Sequence, residues 1–367
     1  MIKVAYDNQI FSLQRYGGIS RYFYELGRRV AAAENFYADV MAHPKTNEYL
    51  RNNALPVRGY YLKPVPRMRK FCNKINTLLS CAAMRNNKPD IIHETYYHGK
   101  SAIVPKGCPV VITVHDMIHE KFPEMFPKHD NTSAKKRRAV ERADKIVCVS
   151  ENTKRDLLEI FDVAEDIISV VYHGFEITEN EEQQPCALSQ RPYILYVGQR
   201  EGYKNFKAFI TAYAASETLH KDFDVIAFGS KDFNSEELLL LKTLGVDKRR
   251  VNHMTGSDTF LVALYRNAAM FVLPSIYEGF GIPPLEAMNF GCPVVCSNTS
   301  SIPEVVGEAA QLFEPTDVEK IRIAMEKVAY DKERRNNLIM LGKQRIKNFS
   351  WDRCAQETME CYKELVR

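Results

Sequence analysis

Twelve short apolar runs, separated by stretches of helical periodicity, set what this chain of 367 residues can fold into. The first set reads IKVAY (2–6), ADVMA (38–42), DIIHE (90–94), PVVITVHD (109–116), KIVCVS (145–150) and ISVVYH (168–173). The second reads YILYVG (193–198), DVIAFG (224–229), RVNHM (250–254), MFVLPS (270–275), PVVCS (293–297) and AAQLF (309–313). Most are continuous in Val and Ile rather than alternating, which is the pattern of strands buried on both faces of a parallel sheet. Strand–helix alternation of this kind predicts a doubly wound α/β architecture. Between the sets, GFEITENEEQQPCALSQRPY (174–193) is polar, acidic and without apolar periodicity, as a linker is. The expectation is two Rossmann-like domains, 1–175 and 193–350, a linker over 176–192, and a C-terminal helix near 351–367 that packs back onto the first domain. Open α/β sheets take ligands at the carboxyl ends of their strands. Two such faces turned toward each other across a cleft would share one site, with the linker as its hinge.

Composition excludes several alternatives. The 45% apolar and 26% charged content is that of an ordinary globular chain. The opening MIKVAY reads as a strand with no leader before it, and no run approaches the roughly eighteen apolar residues of a membrane span. Nine cysteines without a CxxC pair read as reduced buried thiols, which points to the cytoplasm rather than to a metal centre. A net charge of +4 gives no reason to expect a nucleic-acid partner. Its distribution is less even: Tyr49 to Pro89 contains no Asp or Glu, while Arg51, Arg58, Lys63, Arg67, Arg69, Lys70, Lys74, Arg85 and Lys88 alternate with apolar residues. Such a segment either rests on an anionic membrane surface or is a solvated helix face. The run KKRR (135–138) reads as the exposed side of a helix.

One stretch carries more chemistry than the rest. PSIYEGFGIPPLEAM (274–288) follows a strand, turns through Gly279 and Gly281, and starts a helix at Pro283 and Pro284, whose missing N–H groups cost nothing in a first turn. The amides of Phe280, Gly281 and Ile282 at that helix start suit an anion such as phosphate. Glu286, expected in the first helical turn, can accept hydrogen bonds from two vicinal hydroxyls. Glu278, on the loop, can stabilise charge at a reacting group. The same residues could form a plain strand–turn–helix whose carboxylates answer the helix dipole. GFGIPP (279–284) nearly matches G-x-G-x-x-G but ends in proline and lacks the acidic residue that completes a dinucleotide fingerprint.

The longer segment LYRNAAMFVLPSIYEGFGIPPLEAMNFGCPVVCSNTSSIPEVVGEAA (264–310) closely resembles the signature of family 4 retaining glycosyltransferases, which have the two-domain GT-B fold. The E-x7-E pair, the helix start, the G-x-P-V strand and the PE-x-x-G-x-AA turn occur in order. The resemblance implies a sugar moved from a nucleotide diphosphate donor to an acceptor hydroxyl, with Glu286 on the donor ribose and Glu278 beside the transferred sugar. It implies that the amides of Phe280, Gly281 and Ile282 meet the donor's phosphates or sugar hydroxyls. It also implies a lysine after the first strand of the second domain; YVGQREGYKNF supplies Lys204, six residues past Gly198. The family's arginine positions hold Gln199 and Tyr203 instead, so nearby Arg200 is assigned to the diphosphate. Gly17 and Gly18 match the glycine pair that lies beside the donor phosphate, and His115, at the end of a core strand, matches a histidine that contacts the transferred sugar. His93, His98 and His119 are weaker candidates, and His173 stands where the family usually has Asn.

No acidic metal cluster is needed if cations meet the diphosphate, so neither a metal nor a cofactor is expected. The wording of the motif leans toward GDP-mannose and a glycan or lipid-linked glycan acceptor of bacterial surface-polysaccharide assembly, at the inner face of the plasma membrane. UDP-glucose and UDP-N-acetylhexosamine donors stay open. So do a non-catalytic nucleotide-sugar binder, an epimerase or phosphorylase of the same fold, and a nucleotide-dependent oxidoreductase.

Overall fold

In a computed structural model the described residues are 1–41, 47–51, 55–58, 69–97, 105, 107–176 and 191–366, without the side chains of 58, 69–75, 77 and 81. The chain divides into two compact units, Met1–Gly174 with Trp351–Arg367, and Phe175–Ser350. Residues 177–190 of the expected linker, and with them its hinge role, lie outside the described residues.

The first unit holds β1 (Ile2–Tyr6), β2 (Phe36–Met41), β3 (Val57–Arg58), β4 (Ile91–Glu94), β5 (Val110–Val114), β6 (Lys145–Cys148) and β7 (Ile168–Val170). They form one sheet in the order β3-β2-β1-β4-β5-β6-β7, and every pairing is parallel. Strand β3 was not expected; two residues at a sheet edge are too short to show a pattern. The second unit holds β8 (Tyr193–Val197), β9 (Asp224–Phe228), β10 (Val251–Met254), β11 (Met270–Leu273), β12 (Val294–Ser297) and β13 (Ala310–Phe313), in the order β10-β9-β8-β11-β12-β13, again parallel. β5, β9 and β11 are buried along their whole length, as continuous apolar runs require.

Helices cover both sheets. On one face of the first, helix Gly18–Ala32 and helix Trp351–Leu365 bury Tyr22, Phe23, Leu26, Trp351, Cys354 and Tyr362 in a shared core. The C-terminal helix buries positions 351, 354, 355, 358, 361 and 362, a stripe at three- and four-residue spacing. Its Tyr362 hydroxyl lies 3.1 Å from that of Tyr6 and 2.6 Å from Nδ1 of His93, whose Nε2 reaches Thr113 at 2.8 Å. Among the described residues six cysteines are free thiols: Cys108, Cys148, Cys292, Cys296, Cys354 and Cys361. Among the described residues no helix is long and apolar enough to cross a membrane. Of the basic segment 49–89, helix Arg69–Asn87 is described, with Leu78 and Leu79 exposed; Lys63 and Arg67 lie outside the described residues.

Candidate active site

In each sheet the strand order reverses once, between β1 and β4 and between β8 and β11. Connections leaving such neighbours run in opposite directions and open a crevice at the carboxyl ends. In the second unit the loop after β8 ends at Asn205, at φ 55°, a left-handed conformation that asparagine tolerates better than most residues. The Asn205 side-chain amide donates to the carbonyls of Pro274 at 3.0 Å and Pro315 at 2.8 Å, and the Ile276 N–H donates to the Tyr203 carbonyl at 2.8 Å. The loops after β8, β11 and β13 are thereby clasped together. As a result Lys204 Nζ sits 2.7 Å from Glu278 Oε1, across 74 residues of sequence. The pair is partly open to solvent, with side chains 22% and 14% exposed.

Glu278 is held from its other side by the loop after β12. Its N–H donates to Ser300 Oγ at 2.9 Å, the Ser301 hydroxyl reaches its carbonyl at 2.8 Å, and the Thr299 hydroxyl donates to the Ile276 carbonyl at 2.8 Å. Gly281 is required here: its φ is 97°, and a Cβ would stand 2.6 Å from Ile302 Cδ1. The helix that follows is Ile282–Asn289. Pro283 and Pro284 fill its second and third positions without N–H groups, so the donors at its start are Phe280, Gly281 and Ile282. Glu286 is the fifth helical residue, just past the first turn in which it was expected. It is 8% exposed and accepts a hydrogen bond from the Tyr265 hydroxyl at 3.2 Å. Burial, then the Glu286 charge, raise the Tyr265 phenol well above its ordinary range, so it stays a donor.

Arg200 requires correction. Its guanidinium forms a two-point ion pair with Glu237, at 2.6 and 3.2 Å, and donates to the carbonyls of Lys231 at 2.7 Å and Asp232 at 3.2 Å. It also lies over the Phe233 ring at 4.7 Å, and the side chain is 3% exposed. These contacts tie down the loop after β9 and commit the guanidinium to the protein's own carboxylate and carbonyls rather than leaving it open for a diphosphate. The chain's single D-x-D triplet, Asp222–Phe223–Asp224, is at the amino end of β9, where Asp222 accepts from Tyr330 and Asp224 from Arg250.

The first unit presents rings in place of charges. His115 follows β5 and is buried against the edge of Tyr22, with centroids 5.2 Å apart, and face to face with His173 at 5.7 Å. Burial, with the His93 and Lys136 charges adding, pushes the His115 imidazole down to about 3, so it is neutral at any working pH. Its Nε2 has no hydrogen-bond partner among the described residues. His173, which carried no role, thus forms part of the same stack; the only signal for it was its place at a strand end. Lys136 also corrects the reading of KKRR as an exposed face. Its side chain is fully buried and donates to the Asp116 carbonyl at 2.8 Å and Glu120 at 2.7 Å, fixing the loop after His115. His93 belongs to the tyrosine network of the core, His119 stacks on Phe126, and His98 lies outside the described residues.

Gly17 and Gly18 lie after β1, at the same sheet end. The Gln14 side chain crosses this turn and accepts from the Ser20 N–H at 3.1 Å, and a Cβ on Gly17 would meet its Oε1 at 2.3 Å. Gly18 begins helix Gly18–Ala32 with open space around it.

Residues 16–179 match the family Glycosyltransferase Family 4, and residues 178–345 match glycosyl transferases group 1. O-antigen chain mannosyltransferase B of Escherichia coli is 28% identical over 374 residues, spanning 95% of this chain and 96% of that protein. The serotype-specific mannosyltransferase WbdA of Escherichia coli is 30% identical over 310 residues, 78% of this chain but only 38% of the longer relative. Among solved structures, Anabaena HepE in complex with UDP-glucose superimposes with a TM-score of 0.75 at 17% identity, over 99% of this chain and 100% of that one. Two consecutive family matches from residue 16 to 345, joined to a pair of parallel doubly wound units, make this chain a family 4 glycosyltransferase of the GT-B fold.

Proposed function

We propose that the chain transfers a hexose, with retained anomeric configuration, from a nucleotide diphosphate sugar to a hydroxyl of a glycan or lipid-linked glycan in bacterial polysaccharide assembly. The observation that carries this reading is the Lys204–Glu278 pair, held at 2.7 Å by hydrogen bonds from neighbouring loops at the switch point of the second sheet. As the glycosidic bond breaks, negative charge grows on the leaving diphosphate and positive charge on the sugar. A cation and an anion side by side answer both, and their fixed geometry requires little reorganisation. Lys204 Nζ donates to the diphosphate, assisted by the amides of Phe280 to Ile282, and Glu278 then faces the sugar alone. Glu286, oriented by Tyr265, takes the ribose hydroxyls. His115, uncharged, hydrogen-bonds a sugar hydroxyl through Nε2 and carries no proton to or from the reaction. The acceptor hydroxyl attacks on the face the diphosphate leaves and gives its proton to the departing phosphate oxygen as the glycosidic bond breaks.

With a lysine in the metal's place the reaction proceeds without a divalent cation; unchanged turnover in EDTA checks this. GDP-mannose is the donor favoured, supported by the likeness to O-antigen chain mannosyltransferase B. Differential scanning fluorimetry over nucleoside diphosphates tests it: a larger rise in Tm with GDP than with UDP is expected, and the reverse order overturns the base assignment. Turnover of GDP-mannose on a lipid-linked glycan, with the product's anomeric configuration read by NMR, tests the reaction. The acceptor is held at the inner face of the plasma membrane, supported by the acid-free segment 49–89 and the exposed Leu78 and Leu79. Equal recovery with anionic and neutral liposomes on sedimentation overturns that placement.

A further inference from the structure

A group of tyrosines in the first unit is not used by the reaction as described. Tyr16 immediately precedes the Gly17–Gly18 turn and, at 62% exposure, is the most exposed aromatic ring among the described residues. It is nevertheless held. Its ring meets the edge of Tyr49, with centroids 5.8 Å apart, and Tyr49 in turn stacks on Tyr24 at 5.8 Å and 25°. The two backbone segments are tied to each other: the Glu48 N–H donates to the Arg15 carbonyl at 3.0 Å, and the fully buried Asn47 donates to the Gln14 carbonyl at 2.7 Å. The Asn47 side-chain Oδ1 also accepts from the Tyr49 N–H at 2.9 Å, and Arg15 pairs with Glu48 at 3.0 Å.

An ordinary surface tyrosine is mobile and needs no such frame. Here two chain segments are locked so that the ring stays mostly in water while it rests against Tyr49, with the Arg15 guanidinium 5.9 Å from its centroid. A rigid, exposed ring of this kind offers apolar contact area at low entropic cost, with a polar hydroxyl at its tip. The ligand such a surface fits has a C–H face and a rim of hydroxyls, which describes a pyranose ring. Because Tyr16 shares its loop with Gly17 and Gly18 at the carboxyl end of β1, the ring belongs to the ligand-bearing end of the sheet.

We propose that Tyr16, backed by Tyr49 and Tyr24, is a stacking subsite for a neutral pyranose of the acceptor glycan. Arg15, whose side chain is 67% exposed, stands beside it to take that sugar's hydroxyls. This rests on the glycosyltransfer reading above. The test uses saturation-transfer-difference NMR with mannotriose, maltotriose and chitotriose as probes on the wild type, Tyr16→Ala and Tyr16→Phe. At least one trisaccharide is expected to bind through its ring C–H protons. Tyr16→Ala is expected to weaken that binding about five-fold or more, and Tyr16→Phe to keep it within about two-fold, since the ring face supplies the contact. The Tm response to GDP or UDP is expected to be the same in all three proteins. No trisaccharide binding, equal binding by Tyr16→Ala, or a Tyr16→Ala defect only toward anionic vesicles would each overturn the subsite. A wild type whose Tm no nucleotide raises, and which turns over no nucleotide sugar, would sink the glycosyltransfer reading instead, whatever the trisaccharides do.

Discussion

The strand-end loops of the two units solve opposite electrostatic problems. In the second unit a lysine and a glutamate meet while still partly in water, and the clasp of hydrogen bonds around Asn205, Ser300 and Ser301 fixes where their charges stand. In the first unit His115, 8% exposed, is packed against Tyr22 and His173, and burial holds its imidazole uncharged. One loop set is built to meet charge that develops in a reaction, the other to hydrogen-bond without titrating. The difference follows from burial: the Lys204–Glu278 pair stands partly in water, while a buried imidazole loses its proton before it can act as an acid.

The largest expected effect tests the line between support and chemistry within the second unit. Arg200→Ala removes a nearly buried guanidinium from Glu237 and from the carbonyls of Lys231 and Asp232, and should lower stability by about 3 kcal/mol in urea denaturation, with kcat of the remaining folded enzyme little changed. A large loss of kcat at unchanged stability would return Arg200 to the donor. Lys204→Ala should do the opposite. It should reduce kcat on the order of 10²-fold or more, about 3 kcal/mol of transition-state stabilisation, with a small change in Tm.

The first unit should betray its buried imidazoles through acid lability. His93 and His115 both have pKa values lowered to about 3 from 6.5, so their contribution is complete above about pH 6.5 and is lost as pH falls toward 3. Each should cost roughly 2 kcal/mol of stability by pH 5. Urea midpoints measured at pH 7.5 and 5 should therefore diverge less in His93→Gln than in the wild type, and kcat should show no limb from His115 between pH 6 and 8. The smallest effect is expected at Tyr265→Phe, which removes one hydrogen bond to Glu286. The donor's KM should rise about five- to ten-fold with kcat nearly constant, because orientation of the ribose acceptor is lost and no charge is.

What the sequence could show follows the range of the interactions involved. Strands were legible because each is a local run of Val and Ile, and β3 was missed because two residues carry no period. Glu278, Glu286 and Lys204 were legible through a motif at fixed spacing, and the structure brings Lys204 and Glu278 into contact. The fate of Arg200 depends on Glu237, 37 residues away, and on carbonyls of the loop after β9, none of which announces itself in sequence. Lys136 was misread for the same reason: three of four cations in KKRR face solvent, and only the folded loop shows which one turns inward. Burial of His115 likewise depends on Tyr22 and His173, which come from elements far apart in the chain.

The C-terminal helix has a consequence for how such proteins can be recombined. Because Trp351–Leu365 completes the core around Tyr6 and His93, the first unit is encoded in two pieces and the second is an insertion between them. Residues 175–350 therefore behave as a cassette with both junctions on one host. Exchanging that cassette keeps the host's core whole, whereas cutting the gene once at the linker strands the helix with the wrong partner and leaves the first unit's apolar face bare.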